Sequence, residues 1–333
     1  MHSEITTPDL EVLEASLEGE LRRDKSSRLM YSTDASIYRE EPVAVVYPRH
    51  NEDIKKLLAF AAKHGIGIIP RAAGTSLAGQ VVGSGMVADL SRHFKRIIEI
   101  NREERWVRLE PGVIPDELNL VLKSHGLLFG PETSTSNRCN IGGMIGNNAC
   151  GLHSIVYGSV RDHIMEVKAL LHDGSEVVFG ELTEEQYRQK CTLNTAEGFI
   201  YREIDSIMSD TGNHDAIMRD YPDRTIPRRN TGYSLDDLLY GEPFTAGASR
   251  GINLARLIAG SEGTLAIVTE AKLGLVPLPP PVKALACVHL RSRNDAFRAN
   301  LIALKYKPWA VELMDSNILN LAATVESQKR NRF

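Results

Sequence analysis

Three stretches of this chain concentrate residue types that can hold an anion or lie flat against a ligand. The first is Pro70-Arg-Ala-Ala-Gly-Thr-Ser-Leu-Ala-Gly79, a small-residue loop that follows a short apolar run. Successive backbone N–H groups in such a loop can approach an anion closely, and hydroxyls add donors. It could cradle a pyrophosphate or be a plain flexible turn; the residues leave both readings open. It is not a nicotinamide fingerprint, because no G-x-G-x-x-G is present and more loop and strand follow rather than a helix. Nor is it a P-loop, since Gly-Lys-Ser/Thr is absent. The second stretch runs from Pro131 to Gly158, with Glu132 and Arg138 as its only charges among many Gly, Asn, Ser and Thr residues. A surface linker of this length normally carries more charge. This one reads as a segment that threads close to a ligand, with Gly142-Gly143 letting backbone pass against a phosphate or ring face. The third is Ala259-Gly-Ser-Glu-Gly-Thr-Leu-Ala-Ile-Val-Thr269, where Glu262 sits between two nearby glycines. Taken alone, it reads as a helix–turn–strand joint.

The elements that must position these stretches follow from hydrophobic spacing. Strands are expected at 43–48, 67–70, 85–89, 96–100 and 106–110, and a long strand at 264–275. Ile54, Leu57, Leu58 and Ala61 recur at helical spacing, with Asn51 as cap and Gly65 as stop. Further helices are expected at 115–124, 197–208 and 252–259, and a hairpin at 164–179 around Asp173-Gly174. Strands cluster rather than alternate strictly with helices, which argues for an α+β fold over a doubly wound sheet. The run Pro279-Pro-Pro281 is the clearest boundary. Beyond it, a strand at 284–290, a helix at 295–304 and a strand at 310–314 are expected, too little for a complete domain.

Composition removes several function classes. The chain has 333 residues, 42% hydrophobic and 25% charged, with a net charge of −4, so no basic field exists to hold nucleic acid. No apolar run approaches the roughly 18–20 residues of a membrane span, and the acidic N-terminus lacks an apolar signal core, so a soluble intracellular protein is expected. Cys139, Cys150, Cys191 and Cys287 form no C-x-x-C, and the ten histidines form no H-x-H or H-x-x-x-H; no metal site is expected.

In their order along the chain, the loop Arg71–Gly79, the run Pro131–Gly151 with Tyr157-Gly158, and Gly260-Ser-Glu-Gly-Thr-Leu265 resemble the flavin domain of the vanillyl-alcohol oxidase superfamily. This is the p-cresol methylhydroxylase-type FAD-binding fold. More narrowly, the chain is similar to the D-lactate dehydrogenase, glycolate oxidase subunit and D-2-hydroxyglutarate dehydrogenase branch. The resemblance covers residues 32–277 and implies two α+β subdomains followed by the start of a cap domain. It divides the chain into a helical lead-in at 1–40, an FAD-binding domain at 41–278 and an incomplete cap at 283–333. It implies that Arg71, Ala72, Ala73, Gly74, Thr75 and Ser76 wrap the FAD pyrophosphate, with Gly79 and Gln80 close by. Pro131, Glu132, Thr133, Ser134, Gly142, Gly143, Asn147, Asn148, Gly151 and Tyr157 would line the cofactor path, closed by Glu262, Gly263 and Ile267. Ala73 stands where many relatives have Gly. The FAD should be noncovalent: some covalent relatives carry His in the phosphate loop, where this chain has Thr75, and the noncovalent branch also resembles Asn148-Ala-Cys150-Gly151.

The implied chemistry is oxidation of a 2-hydroxy acid such as D-lactate, glycolate or D-2-hydroxyglutarate. A base takes the hydroxyl proton, hydride passes from Cα to flavin N5, and an Arg clamps the carboxylate. The family's His-rich cap motif, close to H-G-H-x-G-D-G-N-x-H, does not occur in these residues, so no catalytic base is named. The chain reads as the flavin-binding part of a longer enzyme, cytoplasmic or attached to the inner face of a membrane through a partner. An electron acceptor or an iron–sulfur domain would be its redox partner. The alternatives are an FAD-binding electron-transfer or assembly module without turnover, and a relative acting on an alcohol, sugar lactone or ether lipid. Arg228, Arg229, Asn230 and Tyr233 read as a solvated basic turn, and His153 as a partly buried structural histidine.

Overall fold

The computed structural model describes residues 6–329 apart from 227, 231 and 246. Helix α1 (Thr7–Ser16) starts at a capping box between Thr6 and Asp9. Strand β1 (Glu20–Arg22), α2 (Lys25–Met30), β2 (Ala44–Tyr47), α3 (Asn51–His64), β3 (Ile68–Arg71) and β4 (Met86–Asp89) follow. They form a four-stranded sheet in the order β1-β2-β4-β3, with β2, β4 and β3 parallel and β1 antiparallel at the edge. The first 40 residues thus contribute a strand as well as helices. Helix α3 buries Ile54, Leu57 and Ala61 and ends at Gly65 with φ 65°, as the spacing predicts. Its N-cap, however, is His50 rather than Asn51, which occupies the first helical position.

The second half is built on β5 (Ile97–Asn101), β6 (Trp106–Leu109), α4 (Pro115–Lys123), β7 (Leu127–Leu128), α5 (Ile141–Asn147), α6 (Ser154–Tyr157) and α7 (Val160–His163). Next come the hairpin β8 (Ile164–Leu170) and β9 (Glu176–Leu182), then α8 (Glu184–Cys191), α9 (Ala196–Ser209), α10 (Thr211–Asp220) and α11 (Leu235–Leu239). Strand β10 (Ile252–Asn253), α12 (Ala255–Ile258), β11 (Ile267–Gly274) and β12 (Val276–Pro277) close this part. The six-stranded antiparallel sheet has the order β10-β9-β8-β11-β6-β5, while β12 pairs with β7. Two subdomains, each of sheet and helix, make the fold α+β as expected. They meet through α3: Leu57 packs with the four-stranded sheet, and Ile54 packs with Leu90, Phe94, Leu170 of β8 and Ile267 of β11.

Three expectations fail for physical reasons. The helix expected at 252–259 is split, because Ile252 pairs with Leu182 and only 255–258 coil into α12. The strands expected at 284–290 and 310–314 are absent. An apolar run becomes a strand only with a ladder partner, and no described residue pairs with either. After the triple proline the chain forms α13 (Arg293–Leu304), near the expected helix, then α14 (Ser316–Thr324) and α15 (Glu326–Lys329). Neither α13 nor α14 buries a residue.

An ion network joins α11 to α12. Asp237 accepts from Arg250 Nη2 at 2.6 Å and from Arg256, while neighbouring Asp236 pairs with Arg229. Burial alone would raise the Asp237 carboxyl, but Arg256 and Arg250 outweigh it and hold its pKa down to about 2. A carboxyl depressed in the folded state adds stability that is complete above its unfolded pKa of about 3.9 and is lost as pH falls through its folded value. Urea unfolding should therefore show a component on the order of 2 kcal/mol lost between about pH 4 and pH 2. In Asp237→Asn that component is missing, and the variant is already weaker at neutral pH because two arginines lose their partner. Equal pH slopes in both proteins would contradict this.

Candidate functional site

Helix α5 is where the three sequence motifs meet. Its sequence, Ile141-Gly-Gly-Met-Ile-Gly-Asn147, carries three glycines, each costing about 1 kcal/mol against alanine in a helix. Tertiary contacts hold it instead. Ile141, Met144 and Ile145 are buried, and the amides of Ile141 and Gly142 donate to Val113 O and Pro111 O at 2.9 and 2.8 Å. The approach is so close that a Cβ on Gly142 would lie 2.5 Å from Pro111 Cβ. At the other end, the carbonyls of Ile145 and Gly146 accept from the amides of Gly260 and Glu262 at 3.0 and 2.9 Å. The third motif therefore caps the helix formed by the second. The sequence reading treats this stretch as a threading segment, and its glycines conceal the helix.

The first motif lies against the same helix. A Cβ on Gly143 would sit 3.3 Å from Ala72 Cβ, and one on Gly263 would sit 3.3 Å from Pro70 Cγ. Glu262 links all three motifs: its Oε1 accepts from Asn147 Nδ2 at 2.9 Å and from Gln80 Nε2 at 3.4 Å. Glu262 makes these bonds from a left-handed backbone, φ 52°.

Among the described residues, the amides of Ala72 through Leu77 donate to no group of the chain. Gly74, at φ 66°, turns the loop over Arg71, where a Cβ would meet Nη2 at 2.4 Å. Arg71 is buried, and its guanidinium donates to the carbonyls of Thr33 at 2.9 Å, Tyr31 at 3.3 Å and Val81 at 3.5 Å. Burial lowers its pKa, and Tyr31, Asp89 and Asp34 oppose that shift. Arg71 thus shapes the loop, while six successive amides remain for an anion.

The other expected residues are placed as follows. Pro131 is buried and Ser134 exposed. Glu132 accepts from the His153 backbone at 3.1 Å and pairs with His153 Nδ1 at 2.6 Å. Thr133 Oγ1 lies 3.1 Å from Thr135 Oγ1 and 3.3 Å from Cys139 Sγ. A Cβ on Gly151 would fall 2.4 Å from Glu132 O. Tyr157 stacks edge-on to Trp309 at 5.7 Å, and its buried hydroxyl has no partner among the described residues. Ile267 turns its side chain into the core between the sheets. Asn148, in the left-handed region at φ 51°, accepts at Oδ1 from Arg161 N at 2.9 Å and donates from Nδ2 to Asn230 Oδ1 at 3.0 Å.

Asn230 and Tyr233 belong to the turn read as solvated and are exposed, but Asn230 also reaches Asn148 and the Tyr233 hydroxyl lies 2.7 Å from Thr264 Oγ1. Arg161 gave no signal in the sequence, because an Arg-Asp pair after a Gly-Ser turn reads as surface. Asn140 was also missed: its Nδ2 donates to Gly112 O at 2.9 Å, and its buried Oδ1 is unpartnered.

Unpaired loop amides at the end of one sheet, against a glycine-rich helix capped by the lead into the other, define a nucleotide-cofactor module of two subdomains. Residues 42–180 match the family model described as an FAD binding domain. Residues 42–180 are a domain of that family, the p-cresol methylhydroxylase type, and FAD is its cofactor. The chain is 36% identical over 317 residues to the D-2-hydroxyglutarate dehydrogenase of Pantoea ananatis (strain AJ13355), covering 94% of this chain and 30% of that protein. It is 29% identical over 297 residues to the glycolate oxidase subunit GlcD of Bacillus subtilis (strain 168), covering 88% of this chain and 50% of that one. A solved alkyldihydroxyacetonephosphate synthase shares the fold with a TM-score of 0.55 at 18% identity, over 83% of this chain and 41% of its own. The chain therefore spans about a third to a half of the length of these relatives.

The geometry at Glu262 sets backbone strain against the links it makes between the motifs. Glu262→Gly removes a left-handed non-glycine backbone, a strain of about 1 kcal/mol, and also removes the carboxylate that holds Asn147 and Gln80. Thermal stability of the apo-protein should stay equal or rise, while FAD affinity falls several-fold in a fluorescence titration. A variant that loses stability but keeps full affinity would contradict the linking role.

Proposed function

We propose that this chain is the FAD-binding part of an enzyme that oxidises a 2-hydroxy acid, with D-2-hydroxyglutarate first among the candidates, ahead of D-lactate and glycolate. The observation that carries the reading is the convergence of the three motifs on α5, with unpaired amides at 72–77 beside it. The likeness to D-2-hydroxyglutarate dehydrogenases supports the choice of acid. When bound, FAD would supply the hydride acceptor for oxidation at Cα.

The chain's own residues would do the holding. Amides from Ala72 to Ser76 would meet the diphosphate, Gly142 and Gly143 would let it pass close to backbone, and Asn147, Asn148 and Glu262 would order the segment beside it. Binding would be noncovalent: Thr75 offers no nitrogen to the flavin, and Cys150 Sγ lies 3.5 Å from Asn230 Nδ2. We read residues 41–278 as the flavin domain, 1–40 as its lead-in and 283–333 as the beginning of the cap. The cap reading is supported by exposed apolar side chains on the last segment, including Leu285, Phe297 and Leu301. The carboxylate clamp and the base would come from that cap. An electron acceptor or iron–sulfur partner would reoxidise the cofactor. Among the described residues no helix is long and apolar enough to cross a membrane. We place the enzyme in the cytoplasm, with contact to the inner face of a membrane only through such a partner.

The test uses protein expressed from the full open reading frame. Flavin bands should appear in the visible spectrum and move to the supernatant as FAD after acid precipitation. Under anaerobic conditions D-2-hydroxyglutarate should bleach those bands and the L-enantiomer should not. Colour kept in the pellet would overturn noncovalent binding. Bleaching by dithionite but by no 2-hydroxy acid would overturn the enzymatic reading.

A further inference from the structure

Arg161 stands outside every motif discussed for the cofactor, yet it joins Asn148 of the second motif to Ala259 at the start of the third and to the segment carrying Arg229 and Gly232. It is buried, at 7% exposure. Nη2 donates to Ala259 O at 2.5 Å and Gly232 O at 3.5 Å, Nη1 to Arg229 O at 3.4 Å, and Nε to Arg256 O at 3.1 Å. Its own amide donates to Asn148 Oδ1 at 2.9 Å, and its carbonyl accepts from Arg256 Nη1 at 2.8 Å. Gly260, at φ 98°, leaves room for the guanidinium: a Cβ there would lie 2.8 Å from Nη2.

The carbonyls it gathers explain what this cation is for. Ala259 opens the turn that caps α5. Arg229 and Gly232 flank Asn230, whose side chain meets Asn148 at 3.0 Å and reaches Cys150. Tyr233 in the same segment meets Thr264 at 2.7 Å. A buried cation that only filled space would be replaceable by an apolar side chain of similar volume. This one reaches carbonyls on separate segments with a rigid planar fork, which the point charge of a lysine cannot reproduce.

We infer that Arg161 is a positioning residue for the cofactor, drawing Arg229, Asn230 and Gly232 toward the Gly-Asn motif so that Asn148 and Asn230 act there as one hydrogen-bonded pair. This deepens the flavin reading and rests on it. Arg202 provides the comparison. Its Nη1 also donates to two carbonyls, of Cys191 and Leu193, but at the surface between α8 and α9.

The experiment titrates FAD into apo-protein and follows flavin fluorescence for wild type, Arg161→Lys, Arg161→Met, Arg202→Met, Asn230→Ala and the Arg161→Met/Asn230→Ala pair. Urea unfolding of each apo-protein runs alongside. Both Arg161 variants should weaken FAD binding about tenfold or more, a change of the size expected from one charge-assisted hydrogen bond, while Arg202→Met binds as wild type. Asn230→Ala should weaken binding several-fold alone and add nothing beside Arg161→Met, because the segment that carries it is already released. Should Arg161→Met not fold, Arg161→Lys and the exposed-site variant Asn230→Ala decide the question. Wild-type affinity in Arg161→Lys, or fully multiplying effects in the pair, would overturn the positioning role. A wild-type chain that takes up no FAD would overturn the flavin reading, and this inference with it.

Discussion

The site depends on a helix that cannot stand by itself. Seven residues with three glycines have neither the length nor the propensity to stay helical in water. Helix α5 exists because its first amides are taken by Val113 and Pro111, its apolar face is buried, and its last carbonyls are closed by Gly260 and Glu262. The same glycines that weaken it let Pro111 and the Ala72 loop come to its surface. The intrinsic instability and the close approach have one cause, the missing side chain. Motifs more than a hundred residues apart in the chain are therefore tied in one structure: without the turn at 260–263 the last carbonyls of the helix are unpaired, and without the helix the Ala72 loop loses one of its supports.

Electrostatically, the module keeps its buried cations for itself. Arg71 spends its donors on Tyr31, Thr33 and Val81, and Arg161 spends its donors on Ala259, Gly232, Arg229 and Arg256. Buried guanidinium groups carry a large desolvation cost, which carbonyls offset only when most donors are used. What remains near the Ala72 loop is a row of neutral N–H dipoles. A nest of this kind favours a diphosphate through many short, directional bonds rather than a bare charge, so binding there should respond less steeply to salt than a lysine-rich site would.

Much of the scaffold was legible in the chain because local signals and tertiary outcome agree. Ile54, Leu57 and Ala61 lie on one face of α3, and Gly65 ends it in the left-handed region. Asp173-Gly174 turns β8 into β9, with Gly174 at φ 82°. The misses fall where the two levels disagree. Helix α5 hides behind glycines, and Ile252 leaves an apparent helix because Leu182 offers it a strand partner. The apolar runs at 284–290 and 310–314 have the strand pattern without a neighbour to make it a strand. Residue types pointed to the three motifs, but the carboxylate of Glu262 as their common acceptor depends on three-dimensional closure and left no trace in spacing.

Arg161 shows why single-sequence reading runs out at such places. Its neighbours in the chain, Ser159 and Asp162, form a local capping box, and a short exposed turn would look the same. Only the return of Arg229, Gly232, Arg256 and Ala259 turns the position into an interior one, and they lie about 70 to 100 residues further on. The ion pairs of Asp237 with Arg250 and Arg256 serve the same return, since Arg256 both answers Asp237 and donates to the Arg161 carbonyl. Charge is thus used twice in this fold, once to bring a distant segment back and once to hold it on Asn148. The Asn148–Asn230 contact is thus held in place by the ion network beneath it, so disturbing the network should loosen Asn230 from Asn148 before it reaches the sheets.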